Sequence, residues 1–249
     1  MNNVKQFNAH FPTEIDQSDR FGERRGHGAA VRGISFAPND GTFVTCSDDC
    51  TLKLWEFKTS TNVNSFKGHG SEVMGVEWHP YNALIASGSK DHSIRLWDAK
   101  SGKQVAQMES HKSTVFKVKW NKNGNWLLSA SKDQLIQLHD IRYLKPMSTF
   151  NGHKNSVHCI EWHPFHERLF ASGSFDGNLM YWVVGTSEED GPIGVIEHAH
   201  NQCIWDMEWH PLGHVLCSGS KDGTIKFWIR ERLGSSDKGR NNQDEDMED

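Results

Sequence analysis

The residue types of an acyl-transfer triad recur through this chain at near-fixed spacing. A histidine opens each copy of the pattern, an aspartate follows 22 or 23 positions later, and serines fill the run before that aspartate. The histidines are His27, His69, His111, His153 and His200, and the aspartates are Asp49, Asp91, Asp133, Asp176 and Asp222. Serine, histidine and aspartate together can activate a nucleophile. An active site is a single constellation, however, so a trio repeated in every unit indicates a packing role and predicts no enzyme activity.

Histidines and cysteines could also hold a metal ion, and the chain has 15 of the former and five of the latter. Five of the histidines belong to the repeated pattern, and His79, His163 and His210 belong to Trp-His-Pro turns. Cys46 and Cys50 have no second pair at ligand spacing. An odd number of scattered cysteines favours buried, reduced thiols over a disulfide framework. We therefore expect no metal and no other cofactor.

The elements that position these residues are short β-strands in a unit of about 42 residues, present five times. The second copy predicts four strands, at SEVMGVEWHP, LIASGS, SIRLWD and QVAQM. Self-similarity at this period indicates a radial array of four-stranded units. The chain resembles the WD-repeat family over residues 26–230. This resemblance implies an all-β WD40 β-propeller with five full blades and a fragment of a preceding blade.

Four of the five units end in a tryptophan. With the repeated histidine, serine and aspartate, this tryptophan resembles the structural tetrad of WD repeats. In that family the turn aspartate orients the histidine, which bonds a strand serine or threonine that also reaches the tryptophan N–H. The resemblance implies tetrads of His69, Ser87, Asp91 and Trp97, of His153, Ser172, Asp176 and Trp182, and of His200, Ser218, Asp222 and Trp228. Ser89 could serve in place of Ser87. In the third copy His139 replaces the tryptophan, so we expect that tetrad to be altered and the blade to be weaker.

The segments outside the repeats differ in composition. Residues 1–10 read as the outermost strand and the histidine of a preceding blade, and residues 11–25 form a polar insertion that the other copies lack. Residues 231–249 are polar and acidic, which predicts a disordered tail. Because propellers of this family close with about seven blades, we expect a chain that lacks its first blades. No apolar run reaches the roughly 20 residues that a membrane span needs, and the net charge of −5 favours no class of partner.

Copy-specific residues carry a narrower resemblance. They lie in MNNVKQFNAH, KGHGSEVMGVEWHP, NKNGNWLLSASKDQLIQLHDIR, WHPFHERLFASGSFDG and IWDMEWHPLGHVLCSGSKDGTIKFW. Together they resemble the WD-repeat subunit of the pre-mRNA cleavage and polyadenylation factor. The resemblance implies a non-catalytic scaffold in nuclear mRNA 3′-end processing that helps present the polyadenylation signal. Its implied partners are a large multi-propeller subunit and a zinc-finger subunit, with RNA contacted through the complex. A general adaptor, such as a ubiquitin-ligase substrate receptor, would share the fold and is the alternative.

Two positions of each repeat should meet at one rim of the propeller, where WD-repeat proteins commonly hold partners. The position five after each motif histidine holds Arg32, Met74, Phe116, His158 and Trp205. The position before each turn aspartate holds Asp48, Lys90, Lys132, Phe175 and Lys221. Aromatic groups beside lysines suit a peptide hot spot or a single-stranded nucleic acid. We expect a partner-binding rim, although the rings could instead plug the channel and the lysines could be merely solvated.

Overall fold

The computed structural model describes residues 26–38, 41–185 and 191–229. Over these ranges the chain consists of β-strands joined by turns, which confirms the all-β prediction. In the same ranges no helix is long and apolar enough to cross a membrane. The segments 1–10, 11–25 and 231–249, for which a strand, an insertion and a tail were predicted, lie outside the described residues.

The strands form five antiparallel sheets that follow one another in chain order. The first sheet contains β1 (Val31–Phe36), β2 (Thr42–Ser47), β3 (Thr51–Glu56) and β4 (Thr61–Lys67). The second contains β5 (Val73–Trp78), β6 (Leu84–Ser89), β7 (Ile94–Asp98) and β8 (Gln104–Met108). The third contains β9 (Val115–Trp120), β10 (Trp126–Ser131), β11 (Ile136–Asp140) and β12 (Lys145–Phe150).

The fourth sheet contains β13 (Val157–Trp162), β14 (Leu169–Ser174), β15 (Leu179–Val183) and β16 (Gly194–Ile196). The fifth contains β17 (Ile204–Trp209), β18 (Val215–Ser220) and β19 (Ile225–Ile229). The predicted propeller architecture is therefore confirmed, but the fifth blade has three strands rather than four within the described part of the chain. The chain beyond β19, where a fourth strand would follow, lies outside that part.

Each sheet turns between its second and third strands at the residue after the motif aspartate. This residue adopts left-handed φ in every repeat: Cys50 (65°), His92 (69°), Gln134 (74°), Gly177 (81°) and Gly223 (81°). Three repeats accept a side chain there, whereas in the fourth a Cβ on Gly177 would lie 2.1 Å from the carbonyl oxygen of His200. The turn therefore requires glycine in the fourth repeat, where the next blade packs closely against it.

The hydrophobic core lies between neighbouring sheets. Val44 and Leu52 of the first sheet pack with Val73 and Trp78 of the second, and equivalent clusters join the later sheets. The middle strands are covered on both faces, and every residue of β11 is buried. Burial on both faces explains why the strands read as apolar runs with blurred alternation.

Both ends of the described array carry an uncovered apolar face. Ile34 in β1 is 55% exposed, whereas Val118, its equivalent in the third repeat, is 1% exposed against the preceding sheet. Ile225 in β19 is 68% exposed, whereas its equivalent Leu179 is fully buried. The five described sheets therefore form an open array in which each interior face is covered by the neighbouring sheet.

Candidate functional site: the rim and the repeated clasp

The second repeat shows the full hydrogen-bond chain of the tetrad. Nδ1 of His69 lies 2.8 Å from Oδ2 of Asp91, and its Nε2 lies 2.7 Å from Oγ of Ser87. Trp97 donates its indole N–H to the same hydroxyl at 2.8 Å. Ser89 serves the turn instead, because its hydroxyl accepts the N–H of Asp91 at 3.1 Å and donates to the carbonyl of Glu72 at 2.8 Å. The structure thus brings Ser87, and not Ser89, to His69.

The first and fifth repeats form the same arrangement. In the fifth, His200 bonds Asp222 at 3.2 Å and Ser218 at 2.7 Å, and Trp228 donates to Ser218 at 2.9 Å. In the first, a threonine hydroxyl, Thr45, takes the place of the serine. We use the term clasp for the hydrogen bond between the histidine Nδ1 and the turn aspartate. The clasp closes both of these repeats.

The third repeat keeps the clasp and loses the tryptophan. His111 bonds Asp133 at 3.0 Å and Ser129 at 2.7 Å. His139 does not reach Ser129; its Nε2 lies 2.8 Å from the hydroxyl of Ser110. Burial lowers the pKa of His139 to about 4, so this imidazole is neutral. His139 therefore has a hydrogen-bond partner of its own in Ser110. That the third blade is less stable than the others stays a prediction.

The fourth repeat differs in the residue that should close the clasp. His153 bonds Ser172 at 2.6 Å, and Trp182 donates to Ser172 at 2.7 Å. Among the described residues, Nδ1 of His153 has no hydrogen-bond partner, and Asp176 accepts only the backbone N–H of Asn178, at 3.0 Å. The structure therefore does not bring Asp176 to His153. In three other repeats the position of Asn178 carries a hydroxyl that donates to the turn carboxylate; here it carries an amide whose oxygen accepts the N–H of His198 instead.

In the second repeat, the clasp contributes to a lowered pKa of the turn aspartate. Burial alone raises the pKa of Asp91, but hydrogen bonds from His69 and from the hydroxyl and N–H of Ser93 outweigh it, so its pKa falls well below the usual range. The pKa of Asp133 is lowered in the same way, to about 2. These carboxylates are ionised acceptors that fix the histidine tautomer, because an ionised carboxylate can only accept.

The sheet register explains how the rim residues are aimed. In all five repeats the innermost strand carries a β-bulge, and the unpaired residue of that bulge is the rim residue five positions after the motif histidine. A bulge re-aims a side chain that regular pairing would direct to one face of the sheet. The sequence pattern placed these residues by spacing, but it gave no indication of the bulge.

The cations on the first two repeats of the rim are already paired. Arg32 makes two hydrogen bonds to Asp48, from Nε at 2.8 Å and from Nη2 at 2.5 Å. Lys90 lies 2.9 Å from Glu72. Lys132 and Lys221 are exposed and make no ion pair within the described residues. The side of the rim formed by the third to fifth repeats therefore carries the free positive charge.

The aromatic rim residues form one cluster on that same side. Phe116 stacks on His158 with ring centroids 4.1 Å apart, and Trp205 meets His158 edge-on at 5.1 Å. The ring centroid of Phe175 lies 5.9 Å from that of His158. Trp205 and Phe175 remain 51% and 46% exposed. We call Phe116, His158, Phe175 and Trp205 the aromatic rim; Met74 lies at the equivalent bulge of the second repeat, outside the ring contacts.

A group of charges on the innermost strands was missed by the sequence reasoning. Nζ of Lys119 in β9 lies 3.7 Å from Oε1 of Glu77 in β5 and 2.5 Å from Oε2 of Glu161 in β13. Removal from water raises the pKa of both carboxyl groups, to about 7 for Glu77 and about 8 for Glu161, and the ammonium of Lys119 offsets only part of that rise. The available signal was the residue before each inner-strand tryptophan, which is acidic in three copies and lysine in the third. This triad joins three consecutive blades.

Comparison with known proteins adds a family and a set of relatives. Five segments match the family described as "WD domain, G-beta repeat", at residues 20–56, 60–98, 102–140, 144–182 and 192–228. Three relatives share the name "Polyadenylation factor subunit 2". The one from Kluyveromyces lactis is 37% identical over 71 residues, 28% of this chain and 16% of the relative. That from Saccharomyces cerevisiae is 36% identical over 70 residues, 28% and 15%, and that from Aspergillus fumigatus is 51% identical over 45 residues, 18% and 9%.

The family matches cover most of this chain, whereas the matches to the relatives are short. Each aligned stretch spans less than a fifth of the relative's own length. The narrower resemblance drawn from copy-specific residues is confirmed over part of the chain. These relatives therefore supply a functional hypothesis rather than a residue-by-residue assignment.

Proposed function

Because this chain belongs to the WD-repeat family, we propose that it is a non-catalytic scaffold in nuclear mRNA 3′-end processing. It assembles other subunits of the cleavage and polyadenylation factor and helps present the polyadenylation signal. Similarity to fungal proteins named polyadenylation factor subunit 2 supports this assignment. The implied partners are a large multi-propeller subunit and a zinc-finger subunit, and RNA is contacted through the complex.

The geometry of the repeated Ser, His and Asp supports a packing role rather than acyl transfer. Ser87 and Ser218 are fully buried, and each hydroxyl is held between a histidine and a tryptophan. A nucleophile must reach a substrate atom at about 3 Å, which these hydroxyls cannot do. The bond between the histidine and the strand hydroxyl recurs in all five blades, as a structural network requires and a single active site does not.

The observation that carries the scaffold proposal is the aromatic rim. Large rings that are half exposed and mutually packed are the usual anchors of protein interfaces. Their mutual contacts hold the rings in place before binding, which lowers the entropy cost of association. Lys132 and Lys221 lie on the same side and make no ion pair with another residue that the structure describes, so a partner with acidic residues or phosphates would be attracted to this side.

Replacement of one rim aromatic tests the proposal in a reconstituted complex. Trp205→Ala should weaken binding to the processing subunits by about 2 kcal/mol or more, as expected for a hot-spot aromatic. Tyr143→Ala is the matched control, because Tyr143 is 71% exposed in the turn between β11 and β12 at the opposite end of the blade. Unchanged affinity of the Trp205 variant would remove the aromatic rim from the interface.

The identity of the partners tests the wider proposal. Purification of the tagged chain from nuclear extract should recover processing-factor subunits in stoichiometric amounts, and the Trp205→Ala variant should lose them. Recovery of ubiquitin-ligase subunits in their place would support the adaptor alternative. Direct RNA binding is a separate outcome, because loss of a phosphate contact by Lys132 would flatten the salt dependence by somewhat under one unit.

A further inference from the structure

The turns that follow the innermost strands lie at the end of the blades opposite the aromatic rim, because the rim residues stand where those strands begin. In the second, fourth and fifth blades, a large apolar side chain lies two positions after the histidine of the Trp-His-Pro turn. These side chains are those of Tyr81, Phe165 and Leu212, and they are 66%, 64% and 68% exposed. Soluble proteins commonly expose single apolar residues, whereas a connected group of them indicates an interaction site.

Contacts between neighbouring blades connect these side chains. A Cβ on Gly124 would lie 3.3 Å from Cδ2 of Tyr81, and a Cβ on Gly213 would lie 3.2 Å from Cδ2 of Phe165. Each ring therefore rests on the turn of the next blade. Nζ of Lys122, in the same turn as Gly124, lies 5.8 Å from the ring centroid of Phe165. We call this connected surface the turn strip; its members are Tyr81, Lys122, Phe165 and Leu212.

Histidine side chains hold the two aromatic turns in place. Nδ1 of His79 accepts the N–H of Tyr81 at 3.0 Å, and its Nε2 donates to the carbonyl of Gly124 in the next blade at 2.8 Å. His163 makes the equivalent two hydrogen bonds in the fourth blade, at 3.1 and 2.9 Å. The turn strip is therefore ordered before a partner binds, which lowers the entropy cost of association.

The charge along the turn strip is mainly positive. Lys122 is exposed, as are Lys100 and Lys103 in the turn between β7 and β8, which lies at the same end of the second blade. None of these lysines makes an ion pair with another residue that the structure describes. Glu167 is the one acid in the four turns that follow the innermost strands of the second to fifth blades. A partner with acidic residues complements this surface, whereas a nucleic acid would require a longer series of unpaired cations.

We propose that the turn strip is a second docking surface, which binds an acidic, amphipathic segment of a partner protein. The three exposed apolar side chains contact the apolar residues of that segment, and the lysines face its carboxylates. This inference rests on the proposed scaffold function, because the partner is a processing subunit. It adds a surface at the other end of the blades, so the scaffold can be held from both ends.

Affinity measurements with the full chain and the processing subunits test the turn strip. Phe165→Ser should weaken binding by about tenfold or more, as the loss of an interface aromatic does. Tyr143→Ser is the matched control, because Tyr143 is exposed at the same end but in the outer turn between β11 and β12. It should bind like the wild type. Because the two surfaces lie at opposite ends of the blades, the fold-changes of Phe165→Ser and Trp205→Ala should multiply in the double variant.

The charge and the chemistry of the bound segment have readouts of their own. Lys122→Gln should slow association and flatten its salt dependence. Lys67→Gln should change neither, because Lys67 is exposed in the outermost strand of the first blade, away from both surfaces. A photoreactive phenylalanine analogue at position 165 should crosslink to a segment rich in aspartate and glutamate, and this segment should differ from the one crosslinked at position 205.

The outcomes separate this inference from the scaffold proposal. Wild-type affinity of both Phe165→Ser and Lys122→Gln, with Trp205→Ala weakened, would overturn the turn strip and leave the scaffold proposal standing. Failure of the wild-type chain to bind any processing subunit would overturn both. Loss of self-association or of single-stranded RNA binding in Phe165→Ser, with the subunits bound as before, would assign the strip to a second copy or to RNA and would also overturn the inference.

Discussion

Removal of one turn carboxylate measures what a closed clasp contributes to stability. Asp91→Ala leaves Nδ1 of His69 buried with only the hydroxyl of Ser93, 3.5 Å away, which is too far for a good hydrogen bond. The N–H of Gly70 is exposed and can bond water instead. The main cost is therefore one orphaned buried donor, or about 1–3 kcal/mol of unfolding free energy.

Asp176→Ala is the internal control for this measurement. It removes the same residue type from the same turn position but breaks no clasp, so its cost should stay within about 0.5 kcal/mol. Urea unfolding followed by tryptophan fluorescence measures both variants. With a slope of about 3 kcal/mol per molar, Asp91→Ala should lower the midpoint by roughly 0.3–1 M. Equal shifts for the two variants, or no shift for Asp91→Ala, would refute the assignment of stability to the clasp.

Three further outcomes follow from the other polar groups. Lys119→Met should destabilise the fold by about 1–3 kcal/mol, because it leaves the partly buried Glu77 and Glu161 without their cation; an unchanged unfolding free energy in thermal or urea unfolding would contradict this. Unfolding free energy should fall as pH rises from about 4.5 to 7, because Glu77 has a raised pKa of about 7 and the folded state holds its proton longer. It should also fall as the pH drops from about 4 towards 2, because the aspartates of the unfolded chain bind protons in this range while the clasp aspartates, whose pKa values are lowered, stay ionised. A flat profile on both limbs would count against these shifts. Ser110→Ala should cost about 1–3 kcal/mol by removing the partner of Nε2 in buried His139, and unchanged stability would show that another group satisfies that atom.

The repeat period was sufficient to predict the sheets, because each unit contains its own strands and turns. The choice between Ser87 and Ser89 could not be made, since residues two apart on a strand face the same side. Only the register of the hairpin brings Ser87 to His69 and leaves Ser89 at the turn. The sequence could not show either that Asp176 fails to bond His153. The position of Asp176 matches the motif, and only the structure shows that its carboxylate does not reach the histidine.

Contacts between blades were beyond the sequence pattern. The triad of Glu77, Lys119 and Glu161 depends on the distance between three innermost strands, which no local periodicity encodes. The aromatic rim was anticipated as a set of positions, but its contacts depend on bulges and on blade packing. Thus Phe116 and His158, 42 residues apart in sequence, are stacked at 4.1 Å.

Site-specific photocrosslinking tests the scaffold account most directly. A photoreactive phenylalanine analogue would replace Trp205 in one sample and Tyr143 in another, within the full chain reconstituted with the processing subunits and RNA. We expect crosslinks from position 205 to a processing subunit and none from position 143. Crosslinks from position 143 alone, or equal yields from both positions, would contradict a partner site on the aromatic rim.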